Sequence, residues 1–550
     1  MLRISVFALF AAMALAAPQA SATTLETVTV GSVEATRIVI SPPRNDLAKA
    51  IRSDLRAAVD AAPQGSRAQT EARELYYFYG ARHFEPLWLT ESQTGSAEFT
   101  DAAHEVIALF ENAHLEGLDP DDYLTDALVS DFNGELADLT TLEAEFSAAM
   151  VRYAQDAYSG RLDPRSVTRN FDIATKRVDE AELLANLAGS ANPAAVLASY
   201  HPDHREFQAL RALLAEHYAG EAEEPIIVPG GTMLRPGMSD PRVPVLRERL
   251  SVAAPIGEDA APELYDEPLA DAIRAFQGSM NLTVDGVVGP ATLQALNGQQ
   301  GASVGQIVAN MERWRWMPED LGEFHVLVNI PEYHLEVNKF GKTIWDTKVI
   351  VGNQTRQTPV FSDEIRHVVT NPYWNVPPTI MREDVMPRVV ANPGYLASQN
   401  MEALYGGRVI DAWSVDWSQV SPGQVRVRQR PGSSNALGRV KFLFPNTHHV
   451  YLHDTNAPGL FSRSARAISS GCVRVEDPFG FAEALLEFES NFTVASLENS
   501  LGSNERWFNM DRRVPVHLAY FTVRVGEDGS VRSYGDVYGH EATMIDMLGL

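Results

Sequence analysis

Val450-Tyr451-Leu452-His453-Asp454-Thr455 and Ser469-Ser470-Gly471-Cys472-Val473-Arg474-Val475 are the two strings on which the reading of this chain turns. Cys472 is the single cysteine among 550 residues, nineteen positions after His453. A lone cysteine is ordinarily a small buried hydrophobe. Here Gly471 permits close backbone approach beside the sulfur. From Thr455 to Arg474 there are three arginines (Arg463, Arg466, Arg474) and no acid. Positive charge and an imidazole lower a thiol from about 8.5, so the context predicts a nucleophile at Cys472 activated by His453 as base. A zinc site built from His449, His453 and Cys472 competes, because all three are ligand types. As a strand, Val450 to His453 would place His449, Tyr451 and His453 on one face. Asp454 then points away, which predicts a backbone carbonyl as the group orienting His453.

Outward from these strings the texture is β. Phe324 to Ile330, Tyr333 to Val337, Thr343 to Val351, Val425 to Arg428 and Val440 to Leu443 read as short strands, broken by Pro, Asn and Gly. Asp477-Pro478 predicts a helix start. Val516 to Val525 and Ser530 to Tyr534 read as a closing pair turned by Asp528-Gly529. Upstream, Pro236 to Asn297 reads as a three-helix unit, with Gly289-Pro290 opening its last helix. From about Glu71 to Tyr218 the pattern is helical, Leu142, Phe146, Ala149 and Tyr153 sharing one face. The expected fold class is therefore multidomain α and α+β. Its expected parts are a helical N-terminal domain at 70–220, a linker at 221–235, the small unit at 236–298 and a β-rich domain at 301–545. No role is assigned to 23–69.

The apolar run Ile4 to Ala17, preceded by Arg3 and followed by Ala20-Ser21-Ala22, reads as an export signal over 1–22, leaving no membrane span after cleavage and a periplasmic location. With 72 acidic against 45 basic residues, nucleic acid and anionic membrane are disfavoured partners. Val425 to Lys441 nevertheless carries Arg426, Arg428, Arg430, Arg439 and Lys441 with no acid, which reads as a cleft for a carboxylate-bearing substrate. The sequence holds no signal for a metal or organic cofactor.

The strings around His453 and Cys472 resemble the catalytic signature of L,D-transpeptidases. Asn371-Pro372-Tyr373-Trp374-Asn375-Val376-Pro377-Pro378, Pro431 to Gly438 and Lys441-Phe442-Leu443-Phe444-Pro445-Asn446 resemble the large periplasmic branch of that family; Asn456 stands where a proline is expected. Ala275-Phe276-Gln277 with Asp285-Gly286-Val287-Val288-Gly289-Pro290 resembles a peptidoglycan-binding module. The resemblance implies attack on the bond between diaminopimelate and D-Ala in a tetrapeptide stem, a thioester, and transfer to a second stem as a 3→3 cross-link. It implies partners in stem peptides and glycan, and covalent inhibition by carbapenems. It implies Cys472 and His453 as catalytic residues, backbone N–H donors at the Gly471-Cys472 turn for an oxyanion with Ser470 beside them, Arg474 for a substrate carboxylate, Tyr451 and Trp374 as cleft walls, and a lid over about 374–421. A same-site hydrolase that trims stems, a wall-binding scaffold without turnover and a papain-like peptidase are the alternatives. The last has its cysteine before its histidine, the reverse of the order here.

Overall fold

Leu142, Phe146, Ala149 and Tyr153 lie buried along the helix Leu136–Ser159, as their spacing requires. The structure is a computed structural model and describes residues 25–30, 33–38, 40–91, 97–125, 128, 136–220, 226–256, 261–280, 282–297, 301–421 and 423–550. The export signal read at 1–22 falls outside them. The chain divides into two units. The first is helical and takes in Asp46–Ala61, Arg67–Ala81, Asp101–Glu111, Glu180–Gly189 and Pro193–Ala198. Inside it, buried Glu143 accepts from the Tyr79 hydroxyl at 2.6 Å and the Leu87 N–H at 2.5 Å, so this burial of a carboxylate is compensated by hydrogen bonds.

The second unit holds the three short helices Val243–Arg249, Glu267–Ser279 and Pro290–Asn297 around an apolar cluster of their own. Gln277 joins them. Its amide accepts from the Asp285 and Gly286 N–H groups at 3.1 and 2.9 Å and donates to the Val287 carbonyl at 3.0 Å, fixing the Asp-Gly turn. Gly286 sits there at φ 69°, a conformation natural to glycine.

After the helix Val304–Trp316, buried from Gln306 to its end, come the strands β1 (Phe324–Asn329), β2 (His334–Lys339), β3 (Lys342–Gly352) and β4 (Phe361–Thr370). Next are β5 (Trp374–Asn375), β6 (Met401–Tyr405), β7 (Arg408–Ile410), β8 (Arg426–Gln429), β9 (Val440–Leu443), β10 (Leu452–His453), β11 (Ala467–Ser469), β12 (Val473–Val475) and β13 (Arg506–Ala519). Nine of them form one sheet in the order β11-β3-β12-β10-β9-β4-β13-β1-β2, and β2 also pairs with β3. The ladder from β3 round to β2 thus closes on itself, and β11 is added to it through β3 alone. One face, with Val326, Val349, Val368, Phe442, Leu452 and Val473, shares a core with Phe481 and Leu485 of the helix Pro478–Leu485.

The remaining strands, β7-β6-β8-β5, form a separate small sheet inserted between β4 and β9, neighbours in the large one. The insert has its own core of Met381, Val385, Val389, Leu396, Trp417 and Val427.

Two sequence expectations change. Val516 to Val525 is not one strand. β13 starts at Arg506 and ends at Ala519, and Val523–Val525 forms a separate hairpin with Val531–Ser533. The chain leaves the sheet between them because the buried Asn310 side chain accepts the Thr522 N–H at 3.0 Å. The strand expected from Val450 shortens to Leu452–His453. His449 adopts φ 57°, so it does not continue the alternation with Tyr451 and His453.

Candidate functional site

β10 and β12 run parallel, with His453 opposite Arg474, and β9 pairs with β10 so that Lys441 faces His453 from the other side. Directly paired residues share a face. Arg474, His453 and Lys441 therefore stand in a row on the face opposite the apolar core. The alternation of Val440, Phe442, Leu452, Val473 and Val475 forces this, since burying those side chains turns the residues between them outward.

Cys472 lies just ahead of β12. The turn before it is held from several directions. Gly471 takes φ 110°, where a side chain would be strained. Its carbonyl accepts from the Thr358 hydroxyl at 2.8 Å, and its N–H donates to the Ser469 hydroxyl at 3.1 Å. The Ser469 hydroxyl in turn donates to the Cys472 carbonyl at 2.6 Å. Thr358 also accepts from the Gly352 N–H at 2.8 Å, tying the turn to the end of β3. The Ser470 hydroxyl accepts from Arg356 at 3.2 Å. The Gly471 N–H is thus already engaged, while the Ser470 hydroxyl, which accepts from Arg356, keeps its own proton to donate.

His453 is buried, and its Nδ1 lies 2.5 Å from the Asp454 carbonyl oxygen. A carbonyl only accepts, so Nδ1 carries the proton and Nε2 presents its lone pair. Burial, then the charges of Arg474 and Lys441, hold the imidazole down at about 3. The Asp454 carboxylate is turned away and accepts from the Arg439 backbone at 2.8 Å. Tyr451 stands beside His453, with 5.7 Å between their ring centroids.

The thiol departs from the sequence expectation. Burial pushes Cys472 up to about 11, and this outweighs the opposing hydrogen bonds from Tyr451 and the charge of Arg474. The arginine-rich context reduces to Arg474 alone, because Arg466 is spent on the carbonyls of Val349 and Tyr333, each at 3.1 Å. Burial also lowers Arg474 from its ordinary value, and among the described residues no carboxylate pairs with it.

The basic run from Val425 to Lys441 does not lie on one sheet. It is divided between the insert and the large sheet. Glu402 accepts from Arg428 at 2.5 Å and Arg430 at 2.7 Å, Arg439 pairs with Asp454 at 3.3 Å, and Lys441 lies 3.6 Å from Glu505. Trp374 sits on β5 of the insert, paired with Gln429, and not on the sheet that carries Cys472 and His453. His448 is bound to Asp172 at 2.8 Å, and no group of three or more His, Cys, Asp or Glu able to hold a metal occurs among the described residues. Sequence reasoning passed over Arg356, Thr358 and Ser469. Only Ser469 lies close enough in sequence to have been found from the motif.

Residues 323–494 match the family model described as "L,D-transpeptidase catalytic domain". Residues 239–296 match "Putative peptidoglycan binding domain" and 73–214 match "Scaffold domain". A Haemophilus influenzae protein named "Putative L,D-transpeptidase" is 38% identical over 241 residues, which cover 43% of this chain and 48% of that relative. The match thus spans about half the length of the curated relative. A solved L,D-transpeptidase from Xylanimonas cellulosilytica is 16% identical over 53% of this chain and 98% of that one, with a TM-score of 0.17.

Proposed function

We propose that this chain, which carries an L,D-transpeptidase catalytic domain alongside a peptidoglycan-binding domain and a scaffold domain, is a cysteine acyltransferase of peptidoglycan stems. The observation that carries the proposal is the pairing of β10 with β12, which sets a neutral, Nε2-accepting His453 and an unpaired Arg474 beside the turn of the chain's one thiol.

Thiol and imidazole both rest neutral, one raised to about 11 and the other lowered to about 3. The proton therefore moves from Sγ to Nε2 as the C–S bond forms, not beforehand. Sγ attacks the carbonyl between diaminopimelate and D-Ala, and the oxyanion faces the Cys472 N–H. His453 gives the proton to the leaving amine, D-Ala departs, and the stem remains as a thioester. The amine of a second diaminopimelate then attacks the thioester, passes its proton to His453, and the thiol is regenerated with a 3→3 cross-link formed. Arg474 holds a stem carboxylate during both steps, and the module at 236–298 binds the wall. Residues 1–22 direct export to the periplasm. Among the described residues no helix is long and apolar enough to cross a membrane.

The test is incubation with disaccharide-tetrapeptides followed by mass spectrometry of the products. Dimers support the proposal; tripeptides alone would make the chain a hydrolase; no turnover would leave a wall-binding scaffold. Cys472→Ala should abolish turnover and any covalent adduct with a carbapenem.

A further inference from the structure

The turn between β3 and β4 reaches both the nucleophile turn and the insert. Arg356 donates from one guanidinium nitrogen to Asp384 at 2.6 Å and to the Ser470 hydroxyl at 3.2 Å, and from the other to Glu383 at 2.9 Å. Ser470 lies two residues before Cys472. Glu383 and Asp384 belong to the π-helical turn Met381–Val385 of the insert, a local irregularity that recurs at functional sites.

One end of this connection is rigid. The Asn353 side chain accepts the N–H groups of Thr355 and Arg356 at 2.9 and 2.8 Å. A Cβ on Gly352 would lie within 2.3 Å of the Arg356 carbonyl oxygen, so turn and strand are in close contact. Thr358 of the same turn grips Gly471. The other end is a body with its own apolar core. The chain enters it after β4 and returns from it before β9. A body with its own core, joined at two crossings, has the form that hinge motions use. Its acids are about two-fifths exposed, 42% at Glu383 and 37% at Asp384, so water and salt reach the ion pairs.

We propose that Arg356 is a positioning residue that latches the insert against the nucleophile turn, so that a stem peptide reaches Cys472 only when the pairs with Glu383 and Asp384 open. This rests on the acyltransferase reading for the identity of the entering ligand, though not for the latch itself. Within that reading, a stem carboxylate competes with Asp384 for the same guanidinium, and ligand entry and opening are coupled.

The test uses the full chain and needs no turnover, because Cys472 is the one thiol. Alkylation is followed by intact mass with iodoacetamide, which is small, and with a polyethylene-glycol maleimide, which is bulky. Glu383→Gln combined with Asp384→Asn should speed the bulky reagent roughly three- to tenfold, the scale of two partly exposed ion pairs, and leave the small one nearly unchanged. Raised salt should speed the bulky reagent on the wild type and not on this variant. Arg356→Ala should behave like the acid variant, and Arg356→Lys should restore part of the slow rate. Melting curves establish that each variant is folded; if the double variant unfolds, Asp384→Asn alone makes the same comparison. Equal acceleration of both reagents would place the effect in thiol ionisation and overturn the latch, as would no change in either. A wild type without turnover whose acid variants still alkylate faster would sink the enzymatic reading while leaving the latch standing.

Discussion

Titration of Cys472 tests the electrostatics of the site directly. With the thiol raised to about 11, about one molecule in ten thousand is a thiolate at pH 7, against about 3% for a thiol near 8.5. The deficit in thiolate is thus roughly 300-fold. A more basic thiolate is intrinsically more nucleophilic, with a Brønsted slope of about 0.4–0.5, which returns roughly tenfold over this interval. Iodoacetamide should therefore modify Cys472 at least roughly 20-fold more slowly than free cysteine at pH 7, before steric shielding slows it further. The logarithm of the rate should climb with unit slope from pH 6 to about 10, without a plateau.

Two substitutions give the sign. The charge of Arg474 and the hydrogen bonding of Tyr451 both favour the thiolate. Arg474→Met and Tyr451→Phe should each raise the thiol further and slow alkylation at pH 9, by roughly three- to fourfold for each tenfold loss of thiolate once the gain in nucleophilicity is counted. A plateau below pH 8.5 would mean a preformed thiolate–imidazolium pair. That result, or acceleration by either substitution, would show that burial does not govern this thiol.

Arg474→Lys keeps the charge but loses the two-pronged geometry; kcat/KM on tetrapeptide should fall at least roughly tenfold with the melting temperature nearly unchanged, and a joint collapse would make the residue structural. Gly471→Ala forces a side chain into φ 110° and should cost about 1–3 kcal/mol by denaturant titration, with turnover reduced because the Cys472 N–H is displaced. His453, His517 and His540 are held neutral by burial at about 3, 4 and 4. The unfolded chain protonates them near 6.5, so it binds more protons than the folded chain between about pH 6.5 and 4. Their contribution is complete above that window and is lost as pH falls through it. Calorimetry in buffers of different ionisation enthalpy should show proton uptake on unfolding at pH 5, and its absence would contradict the burial argument.

The strands of the large sheet were legible where one face is apolar, as in Phe324 to Ile330 and Val440 to Leu443. The first half of β13 was not. Arg506 to Arg513 is mostly polar, and the register against β4 shifts between Asn509 and Val514, so no clean period survives there. That His453 and Arg474 come side by side, with Cys472 just ahead of Arg474, was legible because it needs only two short strands that pair in parallel. Arg356 and Thr358 were not, since they meet the nucleophile turn only after β3 has crossed the sheet beside β12. The pKa of the thiol was misjudged for a related reason. A sequence displays the density of arginines but not their hydrogen bonds, and the carbonyls that occupy Arg466 belong to residues over a hundred positions upstream.

The raised thiol resolves a difficulty that the sequence poses. An exported protein with one exposed, acidic thiol would oxidise readily, since oxidation follows thiolate character and access. In the periplasm proposed here, Cys472 avoids this by resting as a neutral thiol. As the nucleophile of the proposed reaction it is then unreactive until its proton has a destination. In the proposed reaction His453 supplies that destination, because burial first, and then the charges of Arg474 and Lys441 in register on either side of it, keep it unprotonated. The same two cations disfavour the imidazolium, which in the proposed reaction favours release of the proton to the leaving amine. A stem carboxylate that neutralises Arg474 would raise the imidazole at the moment it must accept the proton. Substrate binding and base strength are then linked through one guanidinium, and a substrate lacking that carboxylate should lose kcat more than it raises KM.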